Sequence, residues 1–332
     1  MQVDQMLLSD LMNRKTVGEV GIEVEQEFFE PFPYNTPKGW VAHDDGSLRR
    51  NGKEFVTNGP IDRKDVSKYL TALDTTLSKA SKINDHDSPR TSIHIHINAM
   101  DLTPMQVWNQ IVTYWIMDTC LVELCGIYRV TNLFCLRLRD GTAILDYAKS
   151  ELSPSYRIFN GFSTESLRYS SQNLMALHKF GSLEYRSKGG KFDKTDVQEW
   201  VDCLLSIKDF AKDFKSPVEI LELFYQIGAR AFAKRALTDT YFTKVYGIKN
   251  HVAMMEYNAD LLIDLVSSID WESTMASKVA ATIKYNNSVK AKSMYDLGLS
   301  EAIRNTGTTT APLGTVTPRP VSFTASILDD EF

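Results

Sequence analysis

Apolar and polar residues alternate with period two in four short stretches of the chain. In GEVGIEVEQEF (Gly18 to Phe28), Val20, Ile22 and Val24 take one face of a predicted strand, and Glu19, Glu23, Glu25 and Glu27 the other. In SIHIHIN, Ile93, Ile95 and Ile97 oppose His94, His96 and Asn98, and in SLEYRS Leu183 and Tyr185 oppose Glu184 and Arg186. In GKEFVT, Glu54 and Val56 share a face and Phe55 takes the other. A further short strand begins at Trp40 and Val41. The turn dipeptides Asp45-Gly46 and Asn51-Gly52 predict strands joined by tight hairpins.

Elsewhere the period is helical. Val3, Met6, Leu7 and Leu11 predict a short opening helix, and Val66, Leu70, Leu73 and Leu77 mark one face of a helix between Ile61 and Ile83. Thr103-Pro104 reads as a cap followed by a proline in the first helical position, starting a helix that runs to about Cys125. Segments near 195–213, 217–235, 250–268 and 284–303 carry apolar residues at three and four spacing. The stretch from Arg129 to Leu177 is less regular and is expected to carry substrate or nucleotide loops. From Thr306 the chain turns rich in Thr and Pro and ends in DDEF, the pattern of a flexible tail. Together these elements predict an α+β fold, an antiparallel sheet with helices on one face. One domain is expected over 1–305, sheet-rich over 16–190 and mostly helical over 194–305, followed by the tail 306–332.

Composition narrows the function. The chain has 332 residues, 43% hydrophobic and 24% charged, as in an ordinary soluble globular protein. A net charge of −5 argues against a surface built to grip nucleic acid, although it leaves room for a local basic groove. Cys120, Cys125, Cys135 and Cys203 lack CxxC or metal-finger spacing, and reduced thiols are expected. The most apolar run, Ile111 to Ile127, holds Asp118 and Glu123, which predicts a buried helix rather than a membrane span. With no secretory signal read at the start, the cytoplasm is the expected compartment.

An acidic alternating strand, taken alone, reads as a solvated sheet face. The four strands taken together read differently. If their aliphatic faces lie under helices, the opposite face gathers Glu23, Glu25, Glu54, His94, His96, Glu184 and Arg186. Four carboxylates at close range repel one another unless cations join them. Carboxylate oxygens suit Mg²⁺, and a histidine nitrogen extends the fit to Mn²⁺. More carboxylates than one ion needs point to two or more ions around a nucleotide. Arg186 is placed to meet phosphate. The glycines after Arg186 lack the spacing of a phosphate-binding P-loop, and no nucleophile motif of the GxSxG or Cys/His type is present.

The order E-x-E strand, DGS turn, EFVT strand, H-x-H strand and LEYR strand resembles the phage and bacterial amidoligase family, over roughly residues 16 to 200. These are ATP-dependent carboxylate–amine ligases that share a fold with glutamine synthetase and glutamate–cysteine ligase. The resemblance implies a curved antiparallel sheet with helices on its convex face, and ATP with Mg²⁺ or Mn²⁺ on its concave face. It implies Glu23, Glu25, Glu54, His96 and Glu184 as metal ligands. Arg186 would act on the phosphates and Asp45, before the Gly-Ser turn, near the substrate amine. His94 and Asn98 would stand beside the nucleotide. The implied partners are small-molecule or peptide carboxylates and amines, with no membrane and, if the chain is phage-encoded, the host cytoplasm as its compartment. Asn58 and Gly59, before Pro60, depart from the family pattern and leave the loop over the site open. Two other readings stand beside this one: a guanidino-kinase-like phosphotransferase on the same sheet, and a non-catalytic accessory or virion protein that retains the fold. Glu19 and Glu27, at the ends of their strand, are expected to be solvated.

Overall fold

A computed structural model describes residues 5–305 apart from Thr16, Asp87, Thr131, Thr142, Ser155 and Thr164. The expected tail, 306–332, lies outside the described residues. In chain order the elements are α1 (Leu8–Met12), β1 (Val20–Gln26), β2 (Trp40–Asp44), β3 (Lys53–Thr57), α2 (Val66–Lys79), β4 (Ser92–Asn98) and α3 (Pro104–Leu124). There follow α4 (Ile127–Val130), α5 (Ala143–Glu151), β5 (Gln172–Asn173), α6 (Met175–Phe180), β6 (Ser182–Gly189), α7 (Lys194–Ala211) and α8 (Pro217–Ala236). The last three are α9 (Asp239–Tyr246), α10 (His251–Ser267) and α11 (Trp271–Asn305). Residues 1–285 make one compact unit and 286–332 a second, whose described part is helix. All six strands belong to the first unit.

The architecture is α+β, with one open six-stranded sheet in the order β2-β3-β1-β4-β6-β5. Each neighbouring pair is antiparallel. Alternation explains its two faces. Val20, Ile22, Val24, Phe55, Ile93, Ile95, Ile97, Leu183 and Tyr185 are all fully buried in one core with residues of α2, α3 and α7. Polar tethers cross that core: Gln110 of α3 donates to the Tyr185 hydroxyl at 2.9 Å, and Tyr114 bonds Ser187 at 3.0 Å.

Helix α3 starts where its cap predicts. The Thr103 hydroxyl accepts from Gln106 N, while the Gln106 side chain accepts from Thr103 N, a reciprocal capping box ahead of Pro104. The helix is buried almost throughout, including Asp118. That carboxylate accepts from Leu138 N at 2.7 Å and from the Asn258 amide at 2.8 Å, tying α3 to a loop and to α10. Burial pushes its pKa up to about 6. No described helix is long and apolar enough to cross a membrane.

Several local expectations need correction. Strands β2 and β3 pair, but the loop 45–52 joins them in place of a tight hairpin. Both turn dipeptides fall inside that loop, where Ser47 N bonds the Asp45 carboxylate at 2.8 Å and Leu48 N bonds the Asp45 carbonyl. The irregular stretch 129–177 contains α5, β5 and part of α6. Helix α9 was not anticipated; the Thr238 hydroxyl caps it by accepting from Tyr241 N. Helix α11 begins at Trp271, well before 284.

Candidate functional site

Strand register brings the predicted polar residues together. Glu23 lies opposite His94, Glu25 opposite Glu54, and His96 opposite both Gly21 on β1 and Glu184 on β6. Two triads result. In the first, ligand atoms of Glu23, His96 and Glu184 all lie within 4.8 Å of one another; in the second, those of Glu25, Asp45 and Glu54 do the same. Asp45 comes from the loop after β2 and joins the second triad directly.

The first triad is held by hydrogen bonds within it and to its neighbours Ser182, Asn173 and Arg186. His96 Nε2 meets Glu23 Oε1 at 3.1 Å, and its Nδ1 meets the Ser182 hydroxyl at 3.0 Å. Glu184, 4% exposed, accepts from Arg186 at 2.5 Å on one oxygen and from Asn173 at 2.6 Å on the other. Burial alone would raise the Glu23 carboxyl, but hydrogen bonds from His94 and His96 outweigh it and hold the group well below the usual range. Burial likewise opposes ionisation of Glu184, and the charges of His96 and Arg186 keep it low. His96 is shifted up: burial works against its charge, yet Glu23 and Glu184 favour it.

The second triad lacks such compensation. Burial, then the charges of Glu23 and Glu25, push Glu54 up to about 7. Glu25, 7% exposed, gives one oxygen to Ser92, accepting from its backbone N at 2.8 Å and its hydroxyl at 2.6 Å.

The donor chemistry fits hard divalent cations. One triad offers two carboxylates and an imidazole, the other three carboxylates, and Glu54 meets crowding that a bound cation would relieve. Arg186 Nε is buried and without a hydrogen-bond acceptor among the described residues, and as a cationic donor it suits an anion beside these groups rather than a cation. A cavity of about 260 Å³, lined by Gly21, Glu23, Val56, Pro60, His96 and Phe180 among others, borders the first triad. A second of about 400 Å³, lined by Asp45, Arg50 and Lys53 among others, borders the second.

Three predicted site residues fall outside the triads: Arg186, whose guanidinium pairs with Glu184, and His94 and Asn98. His94 is 2% exposed and lies behind the carboxylates, between Glu23 and Ser92. Asn98 lines the smaller cavity, but its amide is occupied by backbone: it donates to Gly18 O and accepts from Met100 N. Glu27, expected to be solvated, is 1% exposed. Its carboxylate clasps two loops, accepting from Arg49 N and, at 2.6 Å, from the Ser88 hydroxyl. Glu19 is partly exposed and paired with Arg63 at 2.7 Å. Ser92, Asn173 and Ser182 escaped sequence reasoning. Ser92 shares the period-two face of His94 and so carried a signal; Asn173 sits in the irregular segment and carried none.

No protein-family model matches the chain. No curated protein matches it either. Among solved structures it is similar to a bifunctional glutathione synthetase from Pasteurella multocida, at 10% sequence identity and a TM-score of 0.33. That alignment covers 84% of this chain and 52% of the other, so the chain spans about half the length of that enzyme. A likeness of this size leaves the site to be argued from its own geometry.

Proposed function

We propose that the protein is an ATP-dependent carboxylate–amine ligase, built on a sheet of the glutamine synthetase and glutamate–cysteine ligase type and working in the cytoplasm. The observation that supports this most is the pair of adjacent triads on one sheet face, with Arg186 beside them. Glu23, His96 and Glu184 would hold one Mg²⁺ or Mn²⁺, and Glu25 and Glu54 another, leaving Asp45 beside them for the substrate amine. Bound there, such ions supply charge neutralisation for phosphoryl transfer.

The chain's own groups do the rest. Arg186 is oriented by Glu184 and stabilises the transferring γ-phosphoryl group. A substrate carboxylate oxygen attacks the γ-phosphorus, and the bond to the ADP oxygen breaks. An amine then attacks the acyl carbon of the acyl phosphate, the amide bond forms and phosphate leaves. Asp45 accepts the proton from the ammonium, since only the neutral amine is nucleophilic. The resemblance to the amidoligases supports the same assignment.

The test uses ATP, Mg²⁺ and a cell extract as the source of carboxylates and amines. New amides are sought by mass spectrometry, and ADP release is measured. Glu25→Gln and Arg186→Gln are each expected to lose at least about 100-fold in amine-dependent ADP release. Undiminished turnover in both would sink the assignment.

A further inference from the structure

The two triads share no residue, yet a chain of hydrogen bonds connects them. On β4, Ser92 and His94 are two residues apart on one face, next to Glu25 and Glu23 on β1. His94 Nδ1 meets Glu23 Oε2 at 3.1 Å, and His94 Nε2 meets the Ser92 hydroxyl at 2.7 Å. That hydroxyl donates its one proton to Glu25 Oε2 at 2.6 Å, so His94 Nε2 is the donor to Ser92. Along β1 itself, Glu23 and Glu25 only repel.

We propose that Ser92 and His94 are positioning residues forming a strut between the triads, so that filling one with a divalent cation favours filling the other. The inference rests on reading the triads as cation sites. Both residues are buried and stand behind the carboxylates. Neither belongs to a triad. The strut uses Oε2 of Glu23, whose Oε1 meets His96 Nε2 inside the first triad, and Oε2 of Glu25. Fixing Glu23 in its ligating rotamer fixes the His94 ring, then the Ser92 hydroxyl, then Glu25. The second cation therefore meets a carboxylate already ordered, and the rotamer entropy of Glu25 is lost only once. Two like-charged ions repel, so without the strut their coupling is expected to be unfavourable.

The experiment is Mn²⁺ titration followed by electron paramagnetic resonance, without ATP or substrate. Glu184→Gln leaves one site for measurement and Glu54→Gln the other. The wild-type overall constant divided by the product of the two single-site constants is the coupling. A favourable factor of about 10 is expected. In the Ser92→Ala background it is expected to fall to one or below, and Ser92→Thr, which keeps the hydroxyl, is expected to restore it. His94→Asn, too short to reach Ser92, cuts the strut from the other side and is expected to behave as Ser92→Ala. A wild type that binds no Mn²⁺ overturns the cation reading and the strut with it. Two bound ions with a coupling of one or less in the wild type, or a coupling unchanged by Ser92→Ala and His94→Asn, overturn the strut alone.

Discussion

Glu54 shows how one carboxyl can report on a whole site. Its pKa of about 7 in the folded chain lies above the ordinary 4.5, so the folded protein binds this proton more tightly than the unfolded one. The stability that this proton contributes is complete below about 4.5 and is lost as pH rises through about 7. Glu151, also raised to about 7, and Asp118, raised to about 6, act in the same direction. In chelator, the melting temperature is therefore expected to fall between pH 5 and 8. Glu54→Gln should remove its share of that fall and melt about 2 °C or more above the wild type at pH 8. Mn²⁺ should stabilise the wild type at pH 8 through both triads and the variant through the first triad alone, so the gain is smaller in the variant. A variant whose thermal profile matches the wild type at every pH, with and without Mn²⁺, would show that Glu54 carries no such strain.

Among the elements, β6 does most to shape the site. Between Ile95 and Ile93 its partner β4 advances two residues, while β6 advances three, from Tyr185 to Lys188. The extra residue is a bulge beside Arg186, the kind of irregularity that re-aims a side chain next to a site. Arg129 braces it by donating to the carbonyls of Arg186, at 2.5 Å, and Ser187, at 3.2 Å. Past the strand's end, Gly190 has no room for a side chain. A Cβ there would lie 1.9 Å from Thr91 Oγ1, and the Gly190 carbonyl accepts from Gln26 at 2.6 Å. Gly190→Ala is expected to destabilise the protein by about 1–3 kcal/mol in urea unfolding. An unchanged midpoint would mean that the loop simply moves aside.

For the molecule as a whole, period-two alternation made the strands β1, β3, β4 and β6 legible, because each buries one face and presents the other. It also made Glu23, Glu25, Glu54, His94, His96, Glu184 and Arg186 legible as one polar face. Their division into triads was not, because it depends on which strand lies beside which and in what register. Asp45 needed the loop geometry, and Glu27 misled: alternation placed it with the other glutamates, but not against Arg49 and Ser88. Long-range polar links were equally hidden. Asp118 looked like a reason to reject a membrane span, and it proves to be a junction between α3, α10 and the Leu138 loop. Asp118→Ala leaves Leu138 N short of an acceptor inside the core and takes one of the acceptors of the Asn258 amide, which keeps the Trp115 carbonyl and the Thr119 hydroxyl, and about 3 kcal/mol of stability is expected to be lost. Chemical denaturation checks this, and a loss below 1 kcal/mol would contradict it.

Gly21 lies on the same face as Glu23 and carries nothing above its backbone. A methyl group there would meet His96 Cβ at 3.3 Å. The width of the smaller cavity and the seat of a triad histidine are thus a single variable. A lineage adapting to a bulkier or slimmer ligand cannot adjust one without disturbing the other at this position. Pro60 lines the same cavity and belongs to neither triad, so it is where such tailoring could proceed without moving the histidine.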